Sequence, residues 1–142
     1  LLEASGHGSV FVNGEPRGGD PYSWGFVRIP VKLKAGSNEF LFSVGRGRLA
    51  AKLVPAPAPA FVSDRDVLVP SLVAGRMNDG PVGVVVVNAS DAPLRGARIR
   101  VASDLPEKDA WVELQVMPGL TEKKVALPAR FTSSSAGAAG RS

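Results

Sequence analysis

Four side chains between Arg17 and Trp24 have the chemical types that recognise a sugar. An aromatic ring can stack on the apolar face of a pyranose while a carboxylate or guanidinium fixes its hydroxyl groups, a mixed pattern typical of small-ligand sites. Both kinds of group are supplied close together by Arg17, Asp20, Tyr22 and Trp24. The sequence therefore predicts a candidate ligand-binding loop in this segment.

The same rings have a second interpretation that needs no ligand. An amphipathic ring beside an edge strand commonly covers the core or docks against a neighbouring domain. On sequence grounds we favour this packing role for Tyr22 and Trp24, with sugar binding as the alternative. Trp111 has no polar partner in phase with it, and we expect it in the core or in an interface.

The parts needed for hydrolysis are missing from the chain. A serine nucleophile needs a base, usually a histidine, and the single histidine is His7, which is flanked by glycines and predicted to be a loop residue. No G-x-S-x-G elbow is present. Glu15 and Asp20 could form a carboxylate pair, but a small sandwich offers no deep cleft for glycosidic cleavage. We assign no catalytic residue.

Metal binding has little support in the residue types. With no cysteine and one histidine, the chain cannot supply the nitrogen and sulfur ligands of a zinc site. Calcium needs clustered oxygens, and Asp64 with Asp66, or Asn78 with Asp79, would give two at most locally. We assign no metal ligands and expect no cofactor.

The charge pattern argues against nucleic acid and membrane partners. The formal net charge is +4, and the excess is spread along the chain. The nearest cationic cluster, Arg46-Gly47-Arg48, is typical of a solvated turn, not of a phosphate-tracking groove. The longest apolar run, Val84 to Val87, is far shorter than the roughly 18 residues that span a bilayer.

Period-two alternation predicts strands in the first part of the chain. In the run from Phe26 to Lys34, Val27, Ile29, Val31 and Leu33 should be buried, and Pro30 should place the strand at an edge or at a bulge. Turn residues follow this run, so we expect it to form a hairpin with the next strand. The predicted strands are residues 9–13, 26–34, 39–44 and 49–54.

A proline-rich stretch, Pro55 to Ala60, then favours extended geometry and marks a boundary. Beyond it, short strands are predicted at residues 67–69, 83–88, 97–103, 111–117 and 123–127. The run Val84 to Val87 should be covered on both faces, whereas Arg98 and Arg100 should face water.

These elements predict an all-β chain of two small antiparallel β-sandwich units, with no helix of ordinary length. The predicted boundaries are a first sandwich over residues 1–55, a Pro/Ala linker over 56–62, a second sandwich over 63–131 and a flexible tail over 132–142, which holds the low-complexity serines 133–135.

The first unit resembles the last strands of a galactose-binding-like jelly-roll module. The resemblance rests on Val12-Asn13-Gly14-Glu15, on Gly19 to Tyr22 and on Val31 to Phe42, which follows the pattern L-K-x-G-x-N-x-h-h, where h is apolar, and it covers about residues 8 to 55. A complete jelly roll has about eight strands and four are predicted here. We therefore expect early strands upstream or on another polypeptide. Such modules often hold a structural calcium ion.

The second unit resembles immunoglobulin-like modules related to bacterial cell-adhesion domains. Those modules have a V-x-N-x-(S/G)-x-x-x-(L/A) turn between strands, similar to the segment from Val84 to Leu94, which is followed here by Ala97 to Val101. Tandem modules of these two kinds resemble the N-terminal accessory region of large secreted bacterial hydrolases, either glycoside hydrolases or esterases and peptidases of the α/β-hydrolase type.

The resemblance implies a non-catalytic, extracytoplasmic accessory region that supports or positions a catalytic domain of such a hydrolase. Its expected partner is that catalytic domain or a second polypeptide of the same protein. The alternative function is a carbohydrate-binding module that uses the segment from Arg17 to Trp24, with polysaccharide as the partner.

Overall fold

The computed structural model describes residues 1–45, 47–71, 77–102 and 109–132, and this part of the chain is all-β and antiparallel. No helix is present in the described ranges, and thus none there is long and apolar enough to cross a bilayer. The strands are β1 (Leu2–Ser5), β2 (His7–Val12), β3 (Glu15–Asp20), β4 (Arg28–Ile29), β5 (Phe40–Val44), β6 (Ala50–Leu53), β7 (Ala60–Leu68), β8 (Met77–Asn88), β9 (Arg98–Val101), β10 (Ala110–Glu113) and β11 (Thr121–Thr132).

The first six strands form two three-stranded sheets, in the orders β4-β1-β6 and β3-β2-β5. Because side chains alternate between the faces of a strand, each sheet directs one apolar row into a shared core. The chain passes from one sheet to the other at Gly6, whose φ of 80° suits glycine. The core consists of Leu2, Ala4, Val10, Val12 and Ile29, flanked by Val27, Val31, Phe40 and Phe42.

The predicted strand over residues 26–34 is wrong beyond its centre. Only Arg28–Ile29 is in a strand, and this strand ends just before Pro30, which has no amide hydrogen to donate. The strand is at a sheet edge, as Pro30 predicted. The predicted hairpin is also wrong, because β4 pairs with β1 whereas β5 pairs with β2 in the other sheet. Leu33, predicted to be buried, is exposed.

Two strands of the first part were not predicted. β1 is flanked by β4 and β6, and β3 forms an edge beside β2. β3 contains Pro16, Gly18 and Gly19, which are poor strand formers, so its place beside β2 is set by tertiary packing. The first part therefore has six strands where four were expected, while the predictions for β2, β5 and β6 are confirmed.

The C-terminal strands form a sheet in the order β11-β8-β7 and a two-stranded sheet of β9 and β10. β8 is the central strand, and its residues Val84, Val86 and Val87 are buried on both faces, as predicted. Arg98 and Arg100 are exposed on β9, which confirms the alternation expected there. The irregular proline-rich stretch ends at Pro59, because β7 begins at Ala60.

Ion pairs and hydrogen bonds join the N-terminal sheets to the strands that follow the proline-rich stretch. Arg28 pairs with Asp64 on β7 at 2.9 Å, and Lys32 pairs with Asp91 after β8 at 2.7 Å. Arg65 of β7 donates to the Gly25 carbonyl at 2.9 Å. The first part is thus packed against the second by polar contacts near the segment that was predicted to bind a ligand.

Candidate functional site

Three aromatic side chains form a continuous exposed surface, which we call the aromatic ladder: Tyr22, Trp24 and Phe26. The ring centroids of Tyr22 and Trp24 lie 5.6 Å apart, and those of Trp24 and Phe26 lie 5.8 Å apart. The exposed fractions are 75%, 67% and 44%. Within the described chain the rings contact one another and do not enter the core, so the part of the packing prediction that placed them over the core is wrong, whereas docking against a neighbouring domain stays a prediction.

Asp20 holds the backbone that carries these rings. Its carbonyl accepts from the Ser23 amide at 3.2 Å, closing a turn with Pro21 in its usual second position. Its carboxylate accepts from the amides of Trp24 at 3.1 Å and of Gly25 at 2.6 Å. Bonds from a carboxylate to backbone N–H groups are charge-assisted and strong. Asp20, which is 5% exposed, therefore positions the aromatic ladder.

A second brace acts at Gly25, between Trp24 and Phe26. The backbone bends here through positive φ angles, 57° at Ser23 and 72° at Gly25, and such angles in a non-glycine residue need support from surrounding contacts. Ser23 is held by the hydrogen bond of its amide to the Asp20 carbonyl, and the Arg65 guanidinium donates to the Gly25 carbonyl at 2.9 Å. The rings are thus displayed on a backbone fixed from both β3 and β7.

Arg17 does not join this group. Its guanidinium donates to Glu15 at 2.8 Å and to the Pro16 carbonyl at 3.1 Å, both on its own strand β3. Among the described residues, the guanidinium that lies over an aromatic ring is that of Arg98, 5.1 Å from the centroid of Trp111. The structure thus brings Asp20, Tyr22 and Trp24 together and places Arg17 apart from them.

His7 is fully buried in β2, so the prediction that it is a loop residue is wrong. Its ring packs edge-on against Phe42, with centroids 5.3 Å apart, and neither ring nitrogen forms a hydrogen bond of ordinary geometry with the described residues. Burial lowers the pKa of His7, an effect that the nearby Asp20 carboxylate and the Gly18 backbone partly offset. A buried neutral imidazole of this kind is a packing group.

Sequence reasoning missed Phe26 as a site residue. The signal was available, because Tyr22, Trp24 and Phe26 are spaced two residues apart. Trp111 is 56% exposed, so the part of its prediction that placed it in the core is wrong.

The residues considered for calcium do not converge. Asp64 pairs with Arg28 and Asp66 pairs with Lys124 at 2.6 Å, so each carboxylate has a cationic partner of its own. Asn78 and Asp79 belong to the part of β8 whose side chains the structure does not describe. Two other predictions, the flexible tail from residue 133 and the solvated turn at Arg46, also fall on residues outside the described ranges. In the described ranges no three His, Cys, Asp or Glu side chains are grouped to hold a metal.

Comparisons of the chain with protein-family models, with curated proteins and with solved structures found no match. A function is therefore inferred from the aromatic ladder and its surroundings.

Proposed function

We propose that this chain is a non-catalytic accessory region of an exported bacterial hydrolase and that it binds polysaccharide through the aromatic ladder. In this proposal the first six strands correspond to a galactose-binding-like jelly-roll module and the later strands to an immunoglobulin-like module. The catalytic machinery belongs to another domain or polypeptide, and the assembly works outside the cytoplasm.

The observation that carries the proposal is the exposed, braced row of Tyr22, Trp24 and Phe26. Large exposed apolar patches mark interaction sites, and the three rings, tilted by 30° and 56° to one another, offer separate faces on which sugar units can stack. Because Asp20 and Arg65 fix the backbone beforehand, little ordering entropy is lost when a ligand binds. This preorganisation supports a ligand-binding role.

The test is retention in affinity gels that contain soluble polysaccharides, with Trp24→Ala compared with the parent chain. One lost stacking contact of about 0.5–1.5 kcal/mol weakens binding about 2- to 12-fold. Because the Trp24 side chain is mostly exposed, the melting temperature of Trp24→Ala should equal that of the parent chain. Trp111→Ala is the matched control, since it removes an exposed tryptophan far along the chain, and it should bind like the parent.

Two results would contradict the proposal. If Trp24→Ala lost stability but kept its retention, the ring would be a packing group. If the same variant bound all polysaccharides normally but released a hydrolase domain in a pull-down, the aromatic ladder would be a protein-docking surface. Native mass spectrometry of the protein from its source tests the accessory role separately, and a source protein with no hydrolase domain in either direction would exclude it.

A further inference from the structure

Glu3 on β1 is the meeting point of three cationic side chains. Its carboxylate contacts Arg28 at 3.0 Å, Lys52 at 3.1 Å and Arg65 at 3.2 Å. Burial would raise the pKa of Glu3, but the Lys52 hydrogen bond and the charges of Arg65, Lys52 and Arg28 outweigh it and lower the pKa. The Glu3 carboxylate therefore faces three cations. Asp64 also contacts Arg28, so two carboxylates balance three cations and one positive charge remains.

Two of these cations, Lys52 and Arg65, border an open groove of about 310 Å³, at the lower end of the sizes typical of small-ligand sites. Its lining includes Glu3, Ser5, Gly25, Ala50, Lys52 and Arg65. The Lys52 side chain is 67% exposed, and a lysine ammonium carries three donors. The groove thus offers donors and positive charge in excess of the single carboxylate in its wall.

The groove adjoins the aromatic ladder through one shared residue. Gly25 lines the groove and separates Trp24 from Phe26 in the chain, so its Cα lies about 3.8 Å from the Cα atoms of both. Arg65 contacts both sides of this junction, the Gly25 carbonyl and the Glu3 carboxylate. The groove therefore adjoins the backbone that carries Trp24 and Phe26.

We infer that the groove beside Lys52 and Arg65 binds an anionic group of a sugar, a carboxylate or a sulfate, so that the polysaccharide recognised by the aromatic ladder is an acidic one. This inference rests on the proposed function for its ligand class. It adds a second site, with Lys52 as the accessible cation and Arg65 as the cation that also positions the ladder.

The experiment compares Lys52→Gln with the parent chain on a uronate polymer, a sulfated polysaccharide and a neutral polysaccharide. We expect binding to at least one acidic polymer to weaken about 2- to 5-fold, the loss of one solvent-exposed ion pair, with neutral polymers unaffected. The uronate and sulfate arms tell which anion is preferred. Lys52→Arg should retain binding because it keeps the charge.

Lys34→Gln is the matched control, because it removes the same charge from an exposed residue outside the groove lining. If it weakened acidic polymers as much as Lys52→Gln does, or if single-stranded DNA bound as well as the polysaccharides, the attraction would be a general charge effect and the inference would be overturned. Lys52→Gln without effect on any acidic polymer would also overturn it.

Glu3→Gln should change the affinity for acidic polymers in the opposite direction from Lys52→Gln. Removing the carboxylate leaves three cations without their shared counter-charge, so acidic polymers should bind about threefold more tightly, although the chain becomes less stable. Weaker binding by a folded Glu3→Gln variant would contradict the inference.

An NMR titration with glucuronate, against glucose, examines the groove without the rings. Shifts of the Ala51 and Lys52 amides with glucuronate alone support the groove even where Trp24→Ala shows no effect. Conversely, if Trp24→Ala lost binding and glucuronate caused no shifts at Lys52, sugar binding by the aromatic ladder would be supported and anion binding by the groove would be overturned. The two proposals can therefore fail separately.

Discussion

The Asp20 carboxylate accepts a hydrogen bond of 3.1 Å from the backbone amide of Trp24, the central residue of the aromatic ladder. Its other oxygen accepts from Gly25 at 2.6 Å. A residue whose type suggested direct contact with a sugar hydroxyl thus holds the backbone under the ring. Asp20, the last residue of β3, therefore shapes the proposed recognition surface by accepting hydrogen bonds from the backbone that carries the rings.

Asp20→Ala should lower the free energy of unfolding by about 2–4 kcal/mol, because two partly buried hydrogen bonds to a charged group are lost. Asp20→Asn keeps one acceptor oxygen, so its free energy of unfolding should lie between those of the parent chain and Asp20→Ala. Urea unfolding measures both variants. Asp91→Ala, which loses only the exposed pair with Lys32, should change stability by less than about 1 kcal/mol. Equal losses in Asp20→Ala and Asp91→Ala would contradict the capping role.

The lowered pKa of the buried His7 makes stability depend on pH. The unfolded chain binds a proton near the usual value of 6.5, whereas the folded chain resists it, so stability is complete above that pH and falls as the pH drops below it. The slope is at most about 1.4 kcal/mol per pH unit. Urea unfolding between pH 7.5 and 5 should show this fall, and it should be reduced in His7→Phe.

The carboxylate at Glu3 gives a separate acid effect. Since its pKa is lowered from the usual 4.5, its contribution is present above that pH and is lost as the pH falls further through the lowered value. The pH range in which Glu3 affects stability therefore lies below that of His7.

Parallel stability curves for His7→Phe and the parent between pH 7.5 and 5 would rule out the buried imidazole as the cause of the fall in that range.

Asn88→Ala should cost about 3 kcal/mol. The Asn88 side chain is 1% exposed, donates to the carbonyls of Ala92 at 2.8 Å and Pro118 at 2.9 Å, and accepts from the Ser90 hydroxyl at 2.7 Å. Removing it deletes these three partly buried hydrogen bonds, each worth about 1 kcal/mol. Urea unfolding and faster hydrogen exchange of the Leu94 amide would report the loss.

Ser90→Ala is the control for Asn88, since it deletes one hydroxyl from the same loop and should cost less than half as much. If the two variants were equally destabilised, the side-chain amide of Asn88 would not be what holds the loop.

Gly19→Ala should destabilise the first part of the chain by about 1–3 kcal/mol. A Cβ at Gly19 would collide with the carbonyl oxygen of His7 and the backbone of Gly8, and backbone atoms of the neighbouring strand cannot move aside cheaply. Gly18→Ala is the matched control, because a Cβ there meets nothing within 4 Å. Thermal unfolding should separate the two, and equal melting temperatures would show that the strands can shift.

Local patterns of the sequence predicted the strands whose side chains alternate cleanly. β9 shows its arginines to water and β8 is covered on both faces, as period and composition indicated. Pro30 correctly predicted an edge strand, because a missing amide hydrogen acts locally. The same reasoning failed for Leu33, since alternation cannot show where a strand stops being paired.

The sequence by itself determined that the chain is all-β, because alternation, β-branched residues and turn residues act over a few neighbouring positions. Only the tertiary structure decided which strands pair. It set β3, with its proline and glycines, against β2, buried His7 at 0% exposure, and left Tyr22 and Trp24 outside the core. These outcomes depend on contacts between residues distant in sequence, such as Arg65 with Gly25, and no local pattern records such contacts.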